Sequence, residues 1–175
     1  MARRNYAYDA NLSLDDGGAA HSAAGWGTVG GAQSIVDLGG NQGITITLPS
    51  ISDTATLTPQ QARGDFVCVI YLAALTLAGS DVYRFSLVGS NNPGMASGNV
   101  VLGQLQFGQG TGMDPPNSGN SHTPLGSGFF PAGDQYELLF TNEYQSTPYQ
   151  YASLYISGTF GSVQATAFIS VLPRE

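Results

Sequence analysis

Lysine is missing altogether from this chain of 175 residues, and five arginines stand against twelve aspartates and glutamates, for a formal net charge of −7. That balance excludes nucleic acid and anionic membranes as main partners, because both are held by clustered positive charge. Cysteine is nearly absent too. The single Cys68 permits no intramolecular disulfide and, set in the most apolar run of the chain, reads as a buried inert thiol rather than a nucleophile. The two histidines, His21 and His122, are too few and too far apart for the converging ligand set of a metal-dependent β-sandwich enzyme, and both read as solvent-exposed loop residues. No stretch approaches the roughly 20 apolar residues of a membrane span. Arg3-Arg4 is followed by Asn5-Tyr6-Ala7-Tyr8-Asp9 and not by an apolar region, so no signal peptide is visible. The expectation is a protein made in a cytoplasm that acts there or on something assembled there.

Hydrolytic signatures are missing as well. No Gly-x-Ser-x-Gly lies between a strand and a helix, and the carboxylates Asp134, Glu137 and Glu143 have a spacing that defines no acid pair. Asp15-Asp16 and Asp114-Pro115-Pro116-Asn117 lack the spaced oxygens and closing Glu of a calcium loop, and read as a solvated pair and a turn. Arg63-Gly64-Asp65 matches an adhesion tripeptide but serves more simply to start a strand. The expectation is therefore no catalytic residue, no metal and no cofactor.

What is there is β-pattern. The 24 glycines and nine prolines belong to turns, since an apolar fraction of 42% is too high for disorder. One domain is the simplest reading, and a chain of this length buries roughly 70% of the surface its unfolded state exposes. Residues 34–38 and 43–48 read as two strands joined by Gly39-Gly40-Asn41-Gln42, followed by a polar, turn-rich stretch at 49–64. Residues 65–75 are apolar on both alternating faces: Phe66, Cys68, Ile70 and Leu72 on one, Val67, Val69, Tyr71 and Leu75 on the other. One face belongs to the core; the other needs a cover, which a loop, the N-terminal segment or another subunit would supply. Alternation then points Tyr83, Phe85 and Leu87 inward, with Arg84 and Ser86 outward; Val101, Leu105 and Phe107 follow, then Tyr136, Leu138 and Phe140. Residues 144–149 read as a short aromatic loop.

The end of the chain carries the clearest pairing signal. Gly161-Ser162 has the composition of a two-residue hairpin turn, which would set Phe160 opposite Val163, Ile156 opposite Ala167, Leu154 opposite Ile169 and Ala152 opposite Val171. The other face of that hairpin would pair Ser157 with Thr166, Ser153 with Ser170 and Tyr155 with Phe168. In all, about eight strands and no confident helix predict an all-β fold: a two-sheet antiparallel sandwich, jelly-roll-like, spanning 34–175, with an extended N-terminal arm at 1–33.

The run Ile35-Val36-Asp37-Leu38-Gly39, together with the closing segment at 151–173 and its return strand Val163-Gln164-Ala165-Thr166-Ala167-Phe168, resembles the jelly-roll capsid cement (decoration) proteins of tailed bacteriophages. The resemblance covers the chain from Ser34 onward. It implies a non-enzymatic virion protein on the capsid exterior, bound to the major capsid protein across neighbouring subunits. It also implies a homo-oligomer, a dimer or a trimer.

Two segments stand outside that resemblance. The arm is too glycine-rich to form a stable element alone, yet it holds Arg3, Arg4, Tyr6, Tyr8 and the only tryptophan, Trp26. It is expected to reach onto a neighbouring subunit, because aromatics and Arg are usual interface anchors; the alternative is that it folds back onto its own sandwich. The loop at 108–133 is about 26 residues long and carries Phe129 and Phe130, which a pure spacer would not need. Tyr155 and Phe168 complete the expected interface set. A carbohydrate-binding sandwich is the alternative from another class, since Tyr144, Tyr149, Tyr151 and Tyr155 crowd one region and planar rings stack on sugars. A head-fibre or tail structural piece is the third.

Overall fold

The structure, a computed structural model, describes residues 6, 8–39, 44–47, 54–57, 64–75, 81–108, 121–122, 135–159 and 161–171. Among the described residues there is a single 3-10 turn, Ala10–Leu12, no α-helix, and sixteen strands. In chain order these are β1 (Ser13–Asp16), β2 (Gly25–Trp26), β3 (Thr28–Val29), β4 (Ala32–Gln33), β5 (Val36–Asp37), β6 (Ile44–Thr47), β7 (Thr54–Leu57) and β8 (Asp65–Leu75). After them come β9 (Val82–Ser90), β10 (Val100–Gly108), β11 (Ser121–His122), β12 (Gln135–Thr141), β13 (Glu143–Tyr144), β14 (Thr147–Pro148), β15 (Tyr151–Thr159) and β16 (Val163–Val171).

Two sheets form the body. The smaller runs β1-β16-β8-β12; the larger runs β11-β10-β9-β15-β2, with β5 also paired to β15. Every pairing is antiparallel except that of β11 on β10. Their inner faces make one core: Leu14, Cys68, Ile70, Leu72, Leu138, Val163 and Ile169 from one sheet, Val36, Tyr83, Phe85, Leu87, Leu102, Leu105, Leu154 and Ile156 from the other. Each fully buried Leu, Ile or Phe stabilises the fold by about 1.5–3 kcal/mol, the transfer term that holds two sheets face to face. The sandwich expected from the strand pattern is therefore the fold, and the inward residues read on β9 and β12 are inward.

The strand partners differ from the expectation. β15 and β16 do not form a hairpin. Leu154 lies opposite Leu87 of β9, and Ile169 lies opposite Cys68 of β8, in different sheets. Both strands still turn their apolar faces to the same core, but from opposite sides. Residues 34–38 and 43–48 are not partners either: Val36–Asp37 pairs with β15, and Ile44–Thr47 pairs with Thr54–Leu57, a strand inside the stretch read as turn. Val101 does not point inward. A bulge between Val101 and Gly103 shifts the register, so that Leu102 enters the core and Val101 is 42% exposed.

From Tyr8 on, the described N-terminal segment lies on its own sandwich, which corrects the reaching arm for these residues. Leu14 on β1 is fully buried, and β1 edges the smaller sheet through β16. At Gly27 the segment crosses to the larger sheet: its N–H donates to the Leu154 carbonyl at 2.8 Å, and a side chain there would run into the Leu14 carbonyl oxygen. β3 and β4 form a small hairpin beyond it, and β5 completes the edge of β15. Of the 108–133 loop only Gly108 and Ser121–His122 are described; the expectations for Phe129 and Phe130 lie outside the described residues.

Candidate binding surfaces

The outer face of the smaller sheet is set by register. Val67 lies between Ser170 and Leu139, Val69 between Phe168 and Glu137, and Tyr71 between Thr166 and Gln135. All nine side chains share that face, because residues two apart on a strand point the same way. Val67 and Val69 are buried even here, whereas Tyr71 is 43% exposed and Leu139 49% exposed. Tyr8 covers one corner, its ring meeting that of Phe168 edge-on with centroids 5.3 Å apart, and is itself 58% exposed. The chain's own N-terminal segment thus caps this face at Phe168, and Tyr71 and Leu139 remain exposed on it, with the Val69–Glu137 row between them. Glu137, Asp65 and, opposite Thr166 on the edge strand, Asp16 are the described acidic residues of this face.

On the opposite side of the molecule, Trp26 lies directly across from Tyr155 and their rings meet at 65° with centroids 4.9 Å apart. The expected pairing of Tyr155 with Phe168 is therefore corrected: they stand on different sheets, each matched with an aromatic from the N-terminal segment. Tyr6 is half-buried, and Arg3 and Arg4 lie outside the described residues. The four tyrosines expected to gather around 144–155 do different jobs. Tyr149 packs against the core and its N–H donates to the Asn142 carbonyl at 2.7 Å, whereas Tyr144 is exposed on the β13–β14 hairpin.

The titratable groups are mostly structural. His21 is not a solvent-exposed loop residue. Its Nε2 is 2.7 Å from Oδ2 of the buried Asp15, and its backbone exchanges two hydrogen bonds with Val163 at 2.7 and 2.9 Å. Asp16 is not merely a solvated pair with Asp15: it accepts from the Gly30 N–H at 2.7 Å and the Gly18 N–H at 2.8 Å, and these bonds, that from Gly30 foremost, hold its carboxyl below the usual range. Burial alone pushes the Cys68 thiol up to about 12, which keeps it protonated and unreactive. Among the described residues no three of His, Cys, Asp and Glu converge as a metal-holding group.

Among the described residues, the exposed apolar and aromatic surfaces are the features that the fold does not account for. Sequence reasoning found Tyr8, Trp26, Tyr155 and Phe168 by composition but missed Tyr71 and Leu139 as surface residues, since a strand apolar on both faces does not say which face is open. No family model, no curated protein and no solved structure matches this chain.

Proposed function

We propose that this chain is a virion structural protein, a capsid cement that attaches to the outside of an assembled phage head and ties neighbouring major capsid protein subunits. The outer face of the smaller sheet carries this reading. Tyr8, Tyr71 and Leu139 stand exposed there around a buried valine floor. Exposed apolar residues scattered singly need no explanation, but three that share one face of one sheet invite one. Tyrosine is enriched in interface cores, and each aromatic ring removes about 150–250 Å² from water when covered. Glu137 and Asp65 would meet basic groups on the shell. Of the long strands, β8, β12 and β16 lie in one sheet and β9, β10 and β15 in the other, so that successive long strands cross between sheets except from β9 to β10; the crossings, though not that hairpin, are in keeping with the jelly-roll comparison. A homo-oligomer on the capsid exterior is part of the same proposal.

The test is co-sedimentation of the purified chain with heads assembled from the major capsid protein of the same phage. Stoichiometric binding to heads and not to free capsid subunits is the expected outcome. The double substitution Tyr71→Ser with Leu139→Ser should weaken binding by about tenfold or more, an interface loss of about 1.4 kcal/mol, while thermal unfolding stays unchanged. Absence of binding by the unaltered chain rejects the proposal.

A further inference from the structure

The larger sheet carries a groove of about 210 Å³ on its outer face, lined by Trp26, Val88, Asn99, Val100, Val101 and Tyr155. Two departures from regular structure build it. The bulge between Val101 and Gly103 turns Val101 outward beside its register partner Val88, and so raises one wall. The N-terminal segment delivers the other wall, because β2 places Trp26 across from Tyr155 and the neighbouring Gly27 N–H is anchored to the Leu154 carbonyl. Neither wall follows from the core packing, and bulges gather where a side chain must be re-aimed for use.

We infer that this groove binds a neutral sugar ring. No charged side chain lines it. Neither an anion nor a cation would find a counter-charge in the lining; Arg84 stands one row further along the same face, opposite Ser157. A sugar ring is neutral and two-sided: one face of C–H groups packs against aromatic and aliphatic side chains, and the hydroxyls around the rim need neutral donors and acceptors. The groove offers both. Trp26, Tyr155 and the three valines supply apolar surface. Asn99 supplies a rim amide whose pose is set by donation from Nδ2 to the Met95 carbonyl at 2.9 Å. The row that starts at Trp26 and Tyr155 continues across the sheet as Ser86 and Gln104, a hydroxyl and an amide. The volume is below the roughly 300 Å³ at which pockets hold drug-sized ligands, and suits a single ring. This inference does not rest on capsid attachment, and the groove lies on the sheet opposite the patch assigned to it.

Trp26 is the only tryptophan, so intrinsic tryptophan fluorescence of the full chain reports on this groove and nothing else. The chain is titrated with glucose, galactose, mannose, N-acetylglucosamine, lactose and chitobiose, with saturation-transfer NMR as a second readout. A saturable emission change at about millimolar concentration with at least one of them is expected, as befits a site for one ring. Tyr155→Ala and Asn99→Ala should each weaken that binding by about fivefold or more, with thermal unfolding of each variant showing that it is still folded at the temperature of the titration. No saturable response to any sugar by either method overturns the inference. So does a response that both substitutions leave intact. Protection of Trp26 from acrylamide quenching when the chain binds capsid heads would instead assign the groove to a protein contact, and would also overturn it.

Discussion

His21 Nε2 lies 2.7 Å from Oδ2 of Asp15, and that pair is where the N-terminal segment is locked to the sandwich. Asp15 is buried beside the fully buried Leu14, and His21 joins Val163 through two backbone bonds. The carboxylate also accepts from the Gly17 N–H at 2.9 Å, so it keeps a partner if the imidazole is lost. A hydrogen bond to a charged group contributes about 1.5–3 kcal/mol. His21→Ala should therefore cost about that much, measured as a shift of the urea unfolding midpoint with an unchanged m-value. A loss below ~0.5 kcal/mol would mean that the pair does not hold the segment.

Removing residues 1–27 should do much more. It takes away Leu14 from the core, the β1 edge of one sheet and the β2 edge of the other. Burial of one leucine alone is worth about 1.5–3 kcal/mol, and natural domains hold only about 5–15 in total. Circular dichroism of the truncated chain should show lost tertiary structure or a melting temperature lower by at least ~10 °C. A truncated chain with the original melting temperature would show that the segment is dispensable to the fold.

Gly158 on β15 has φ of +132° and sits against the Val82 backbone, where a Cβ would collide with the carbonyl oxygen. Backbone atoms in a paired strand cannot move aside as a flexible side chain can. Gly158→Ala should destabilise by about 3 kcal/mol or more, placing it in the tail of single substitutions. Thermal unfolding beside Ser157→Ala, a neighbour with no such clash, is the comparison.

Cys68 should resist thiol reagents at pH 8 in the folded protein and react on unfolding. Burial raises its pKa from 9.0 to about 12, so the folded state holds the proton where the unfolded state releases it. The unfolded chain then binds fewer protons between pH 9 and 12, and stability falls as pH rises through that window. Cys68→Ala should show a flatter decline there in denaturant titrations. An equal slope would mean that another group dominates the alkaline limb.

Asp16 acts in the opposite direction. Bonds from the Gly30 and Gly18 amides lower its pKa below 3.8, so the stabilisation is present above that value and fades as pH falls below it. The protection factor of the Gly30 amide, its exchange rate relative to the intrinsic rate at the same pH, should fall in Asp16→Asn at neutral pH and on acidification of the unaltered chain. Unchanged protection in both would remove the carboxylate as the hairpin's anchor.

Alternation along the chain was enough to determine which side chains face inward on the long strands: Tyr83, Phe85 and Leu87, Leu138 and Phe140, Leu154 and Ile156, Ala167 and Ile169. A period of two depends only on the local pleat, and an apolar row has to find a core whatever strand lies beside it. Tertiary structure decided the partners. Leu154 and Ile169 have the same apolar pattern whether their strands pair in one sheet or oppose each other across two, so periodicity could not separate a hairpin from a crossing. Val101 turned outward because one bulge shifted the register by a residue, and no residue type announces that shift. Trp26 and Tyr8 found Tyr155 and Phe168 through strands of two to four residues and a glycine-rich chain. Such short pieces carry too little local preference to be read from sequence, and they form because the finished sheets offer edges and faces to receive them.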